Sequence, residues 1–169
     1  MASTLTDTEI MDLLEEEKPL PERYRDRLQP KRKSAYQHEE RELEVATPSG
    51  HSFRIIIRRN SQNILDFSII LSYYDEASNT WLRLVRYNGK HPSLHTNKIE
   101  RNSFHDFHIH KATERYQLGD YPIDGYAEVT HSYSTFEEAL AAFLKDCHFE
   151  SLPGPQLPLF EQGGVENGY

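Results

Sequence analysis

An α+β fold is predicted: a mostly antiparallel sheet of five or six strands, packed by a C-terminal helix, with short N-terminal helices. Three features of the sequence point there. Several β-rich segments follow one another across residues 42–131, and helical patterns are confined to the two ends. Turn chemistry punctuates the β region at TPSG (47–50), DEASN (75–79) and Asn88-Gly89. A capping-box pattern opens a helix near each end, Thr6 with Glu9 and Ser134 with Glu137.

The elements follow in order. Thr6 opens a short helix through Ile10, Leu13 and Leu14, which Pro19 and Pro21 end. A second short helix is expected from Glu22 to Leu28, before Pro30. With the charged stretch KRKSAYQHEER (31–41) these make an N-terminal segment, residues 1–41, expected to serve as a lid or partner surface. The α+β domain proper spans residues 42–150. Its strands are read at Glu42–Val45, at the β-branched His51–Arg59, and at Asp66–Tyr74, the most apolar run and the central strand. Thr80–Tyr87 alternates strongly, Ser103–His110 is strand-like, and Tyr126–His131 is a short strand. In the helix after Ser134, Phe136, Leu140, Phe143 and Leu144 share one face and should lie on the sheet. Residues 151–169 are rich in Pro and Gly and read as a tail.

Composition narrows the function classes. A chain of 169 residues supports one ordinary domain, and ten Tyr and eight Phe supply large buried areas. No apolar run reaches membrane-spanning length, and the acidic start resembles neither a secretory signal nor a transit peptide, so no membrane is expected. The single cysteine, Cys147, precludes an intramolecular disulfide, fits a reducing compartment, and makes the cytoplasm the expected location. Net charge is −8, but residues 51–116 carry ten Lys/Arg against six Asp/Glu. A basic middle flanked by acidic ends permits a polyanion-binding face, while the total charge opposes non-specific DNA binding.

Chemistry concentrates in the same basic middle. Five of the nine histidines fall within residues 91–110. In FHDFHIH, strand alternation puts Phe104, Asp106, His108 and His110 on one face and His105, Phe107 and Ile109 on the other. The apolar face should meet the core, leaving His108 and His110 directed at solvent or a cleft. Paired imidazoles can act as base and acid, and an adjacent Arg can stabilise a developing phosphorane, which is the minimum set for metal-independent RNA cleavage. On this reading His108 and His110 share the acid–base roles and Arg115 stabilises the phosphate. His95 completes the catalytic group and, with Asn97, positions the substrate, which His91, Arg86 and Lys90 also contact. Arg58, Arg59 and Arg83 are further candidates for a phosphate-binding face. No cofactor and no metal are required. A metal site, if built, would draw on His108, His110 and Glu114.

The segment from Arg86 to Gln117 carries the strings HTN, DFHIH and ATERY, and so resembles a small prokaryotic domain family with similar strings. HPSLHTN followed by the histidine cluster is also similar to the HP…TFP…HHKH-like region of TumE-type toxins of bacterial toxin–antitoxin loci. That resemblance implies functional roles for His91, His95, His108 and His110. HIHKATE resembles the HxH…E portion of the cupin metal motif without its glycine, and His91-Pro-Ser-Leu resembles one half of a two-histidine phosphoesterase signature. In the tail, Gln156, Leu157, Leu159 and Phe160 of QLPLF resemble the peptide by which bacterial DNA-processing proteins dock on the replication sliding clamp.

Two readings therefore stand. One is a small metal-independent nuclease of toxin or phage-defence type acting on RNA, whose partner would be a cognate antitoxin. The other is a non-catalytic interaction module, either an antitoxin-like partner of a toxin or an adaptor tethered to the clamp through its tail.

Overall fold

The structure, a computed structural model, describes residues 3–30 and 38–151. Along the chain run α1 (Asp7–Glu15), β1 (Lys18–Leu20), α2 (Tyr24–Arg27), β2 (Gln29–Pro30), β3 (His38–Ala46), β4 (Ser52–Asn60), β5 (Phe67–Asp75) and β6 (Thr80–Asn88). Then come β7 (His95–Thr96), β8 (Ser103–Phe104), β9 (His108–Lys111), α3 (Glu114–Leu118), β10 (Tyr126–Val129), α4 (Phe136–Asp146) and β11 (Phe149–Ser151). The sheet is antiparallel and has seven strands, in the order β10-β9-β6-β5-β4-β3-β2. The expected five or six strands become seven because two-residue β2 adds an outer edge, a piece too short to show a period. The α+β class holds.

The sheet is a meander, each strand pairing with the next, apart from the hairpin β7–β8 inserted between β6 and β9. One face is apolar. Ile55, Ile57, Ile69, Leu71, Val85 and Tyr87 point into the core, where α1 adds Ile10 and Leu13, and α4 adds Phe136, Ala139, Leu140 and Phe143. Phe136 meets Phe67 edge-on at 5.6 Å between centroids, and Phe143 meets Tyr87 at 5.5 Å. Leu5, Leu20 and Leu28 join the same cluster, so the N-terminal segment packs on the core.

The opposite face is polar, and the candidate site lies there. Across it run the registered rows Glu40–Arg58–Ser68–Asn88–His108 and Glu42–Ile56–Ile70–Arg86–His110.

Several local expectations shift. α4 begins one residue later than read: Thr135 is the N-cap and accepts from the Glu138 N–H, while Glu138 takes the Ser134 N–H. The second helix shrinks to one turn, Tyr24–Arg27, entered through Arg23 at φ 54°. The strand read at Ser103–His110 breaks into β8 and β9, since residues 105–107 carry the chain from the hairpin back into the sheet. The tail residues Gln156, Leu157, Leu159 and Phe160 lie outside the described residues.

Candidate active-site cleft

Asn88 ends β6, and Gly89 follows because nothing larger fits. A Cβ there would collide with the Leu65 carbonyl oxygen and sit 2.9 Å from the Phe67 ring. The sequence marks Asn88-Gly89 as a turn, but its role is close backbone approach. Gly89 N–H donates to Phe67 C=O at 3.0 Å and Lys90 N–H to Leu65 C=O at 2.7 Å. This brings His91 against Asp66, the residue just before β5. The chain then rises over the polar face as the β7–β8 hairpin and returns at β9.

Four imidazoles gather where that hairpin meets the sheet, His95 from the hairpin itself, His91 from the chain leading into it, and His108 and His110 from β9. Ring centroids lie 4.6 Å apart for His95–His110, 5.0 Å for His108–His110, 5.6 Å for His95–His108 and 6.0 Å for His91–His108. Each ring has one nitrogen committed to an outer acceptor, which assigns the tautomers. His91 Nδ1–H donates to the Asp66 carboxylate. His95 Nε2–H donates to Asn97 Oδ1 at 2.8 Å. His108 Nδ1–H donates to the Asp106 carbonyl at 2.7 Å, and His110 Nδ1–H to the Asp124 carbonyl at 2.8 Å. Asn88 Nδ2 donates to His108 Nε2 at 3.3 Å.

His108 and His110 were expected to look outward. Both are instead only 4% exposed, because the hairpin covers them. Burial pushes the His108 pKa down to about 4 and that of His110 to about 2, helped at His110 by the nearby Arg86 guanidinium. Both rings are therefore neutral near pH 7, and neither is a proton donor to solvent.

The accessible chemistry lies further along the same rows, on the neighbouring strands, in an open cleft of about 420 Å³ lined by His38, Arg58, Asp66, Ser68, Arg86 and His91, among others. Asp66 is buried and takes His91 on Oδ1, with His38 Nε2 at 3.4 Å and Asn60 Nδ2 at 3.1 Å from Oδ2. Burial alone would raise its pKa, but the hydrogen bonds from Asn60 and His91 outweigh it, and the carboxyl is held below its ordinary range. The His91 side chain is 28% exposed, and among the described residues its Nε2 has no hydrogen-bond partner. Arg58 pairs with Glu40 at 2.9 Å, and Arg86 lies 3.2 Å from Asp124. Burial lowers the Arg86 pKa, which Asp124 partly offsets, and among the described residues Arg86 Nε has no hydrogen-bond partner.

The remaining sequence candidates are placed elsewhere. Arg115 binds Glu100 and lies over Tyr126, 4.5 Å from its ring centroid. Tyr126 and Ala127 alternate across β10, and Ala127 pairs with His110, so Arg115 is on the far side of the sheet from the imidazoles. That corrects its expected role at the phosphate. Lys90 turns to the core side, its Nζ 5.3 Å from the Phe107 ring centroid. Asn97 is buried and anchors the hairpin. Its amide donates to Ala127 C=O at 2.8 Å and accepts from Ala127 N–H at 2.9 Å, leaving it no capacity to hold a substrate. The Glu114 N–H is taken by Asp7, and among the described residues no three His, Cys, Asp or Glu side chains are arranged to hold a metal ion. His91 and Arg86 do meet in the cleft. Asp66 and His38 were missed by sequence reading. The one available signal was a carboxylate immediately ahead of the most apolar strand, where only a buried partner would keep it.

Among the described residues no helix is long and apolar enough to cross a membrane. Comparison with protein-family models, with curated proteins and with solved structures returns no match for this chain.

Proposed function

We propose that the chain is a small cytoplasmic ribonuclease of toxin or phage-defence type, working without a metal from the cleft around His91. The observation that supports this most is the Asp66–His91 pair opening beside Arg58 and Arg86. Asp66 fixes the ring and directs Nε2 outward, the orientation of a general base held by a carboxylate. In the reaction, His91 Nε2 removes the proton of a ribose 2′-hydroxyl, and that oxygen attacks the adjacent phosphorus. The P–O5′ bond breaks, leaving a 2′,3′-cyclic phosphate, and the leaving oxygen takes a proton from His38, which shares Asp66. Arg86 and Arg58 stabilise the charge that builds on the non-bridging oxygens. His108, His110 and His95 support the floor beneath and carry no proton to or from the substrate.

The test compares single-stranded RNA with DNA of the same sequence, with and without EDTA. RNA alone should be cut, leaving cyclic phosphate ends, whether or not EDTA is present. His91→Ala should lower the rate by about 10²-fold or more. Cleavage that persists in His91→Ala, or that EDTA abolishes, overturns the reading.

A further inference from the structure

The polar face continues past the cleft along β6. A β-bulge opposite Leu71/Ser72 absorbs Leu84, so Arg83 faces the same side as Arg86, opposite Ser72. The next row pairs Trp81 with Tyr74, ring centroids 5.2 Å apart. Arg54 lies over the indole, its Cζ 3.9 Å from the ring centroid. One strand therefore presents, in line, an aromatic–guanidinium stack, Arg83, Arg86 and the cleft. Small Ser68 and Ser72 on the neighbouring strand leave these long side chains to form the surface.

Charge along the face is not uniform. Glu40, Glu42 and Glu44 of β3 bound one side and are engaged by Arg58 and Arg54. Arg83 is exposed and makes no ion pair among the described residues. It stands close enough to Arg86 to act on its titration, as does Arg58, so the three guanidiniums share one space. An arrangement of like charges, one of them uncompensated, beside an aromatic stack is the pattern of a surface that takes phosphates and unpaired bases together.

We infer that this stripe of β6 is a binding track for single-stranded RNA leading into the cleft, with phosphates on Arg83 and Arg86 and a base continuing the Trp81–Arg54 stack. The identity of the ligand rests on the ribonuclease reading. Trp81 and Arg86 are five residues apart, roughly 17 Å along a strand. That length fits within the footprint of about four nucleotides or more that sheet-based single-strand binders cover. A duplex would meet the phosphate positions but could not offer an unstacked base, so single strands are preferred.

Trp81 is the only tryptophan of the chain, which makes its fluorescence a direct reporter. The experiment titrates the His91→Ala protein with oligouridylate, with an RNA hairpin duplex as comparison. Binding is followed by tryptophan emission and by anisotropy of labelled RNA. The single strand should quench Trp81 saturably, and the duplex should not. Arg83→Ala, a change at an exposed position, should reduce the slope of log affinity against log salt by about one. Trp81→Ala should weaken binding of labelled RNA about tenfold, and Trp81→Phe should recover part of that loss. Unchanged emission on binding, an unaltered salt slope in Arg83→Ala, or no binding at all would each overturn the track. The two readings fail separately. Quenching by RNA that the wild-type protein never cuts sinks the ribonuclease and leaves the track standing. His91-dependent cleavage indifferent to Arg83 and Trp81 sinks the track alone.

Discussion

At the scale of single residues, the site depends on which imidazoles can reach water. Asp66→Asn keeps the volume but removes the charge that orients His91 and His38. It should lower RNA cleavage by about 10²-fold or more while the chain stays folded, as read by rate and by circular dichroism side by side. His108 and His110 give a different signature. Their folded-state pKa values, about 4 and about 2, lie below the ordinary 6.5. As pH falls through 6.5 the unfolded chain takes up protons that the folded one refuses, so stability drops. The loss runs at up to about 1.4 kcal/mol per pH unit per residue, ending for His108 near pH 4 and for His110 near pH 2. Urea midpoints should therefore fall steadily from pH 7 to pH 5, and His110→Gln should flatten that slope. The crowding of histidines was legible in the sequence, and so was the alternation that pairs His108 with His110. Their burial was not legible, since it depends on a hairpin folding back over the strand, an event that leaves no period in the sequence.

At the scale of elements, two contacts set the geometry. Gly89 lets β6 approach the backbone before β5 so closely that no side chain can intervene. Gly89→Ala should push Leu65 and Asp66 away from His91, costing about 2 kcal/mol or more in stability and most of the cleavage activity, to be checked by denaturation and rate assays. Lys18 does comparable work for α1. It is fully buried, with Nζ donating to the carbonyls of Leu14 at 3.1 Å, Glu16 at 2.8 Å and Cys147 at 2.8 Å, and lying 4.7 Å from the Phe53 ring centroid. One ammonium thus closes the carboxyl end of α1 and ties it to the end of α4. Lys18→Met would leave those acceptors dry and should cost about 3 kcal/mol or more, measured as a shift in the urea midpoint. Proline and capping patterns made α1 readable from the sequence, and helical spacing did the same for α4. Nothing in the sequence distinguished Lys18 from an ordinary surface lysine, because its partners are carbonyls, and one of them comes from a helix more than a hundred residues away.

At the scale of the whole molecule, the two faces of one meander divide the labour, with apolar side chains against helices on one side and arginines, serines and histidines on the other. That division was legible in part, as the alternation of Thr80–Tyr87, whereas the β-branched run of His51–Arg59 marked a strand without separating its faces. The pairing of β6 with β9 was not legible, since the intervening hairpin breaks the sequence continuity on which such inference relies. The same hairpin bears on whether a further strand can add to the sheet. Strand β10 is the outer rung of the sheet, and its second residue, Ala127, turns an amide and a carbonyl outward. Asn97 answers both with a single carboxamide, standing in for a neighbouring chain that would otherwise bond there. Asn97→Ala should therefore do more than loosen the hairpin. It should open an edge to which another copy can add a strand, visible as concentration-dependent growth in light scattering relative to the wild-type protein. On that account, the side chain that resembled a substrate contact in the sequence serves instead as a cap, closing this edge of the sheet against strand addition.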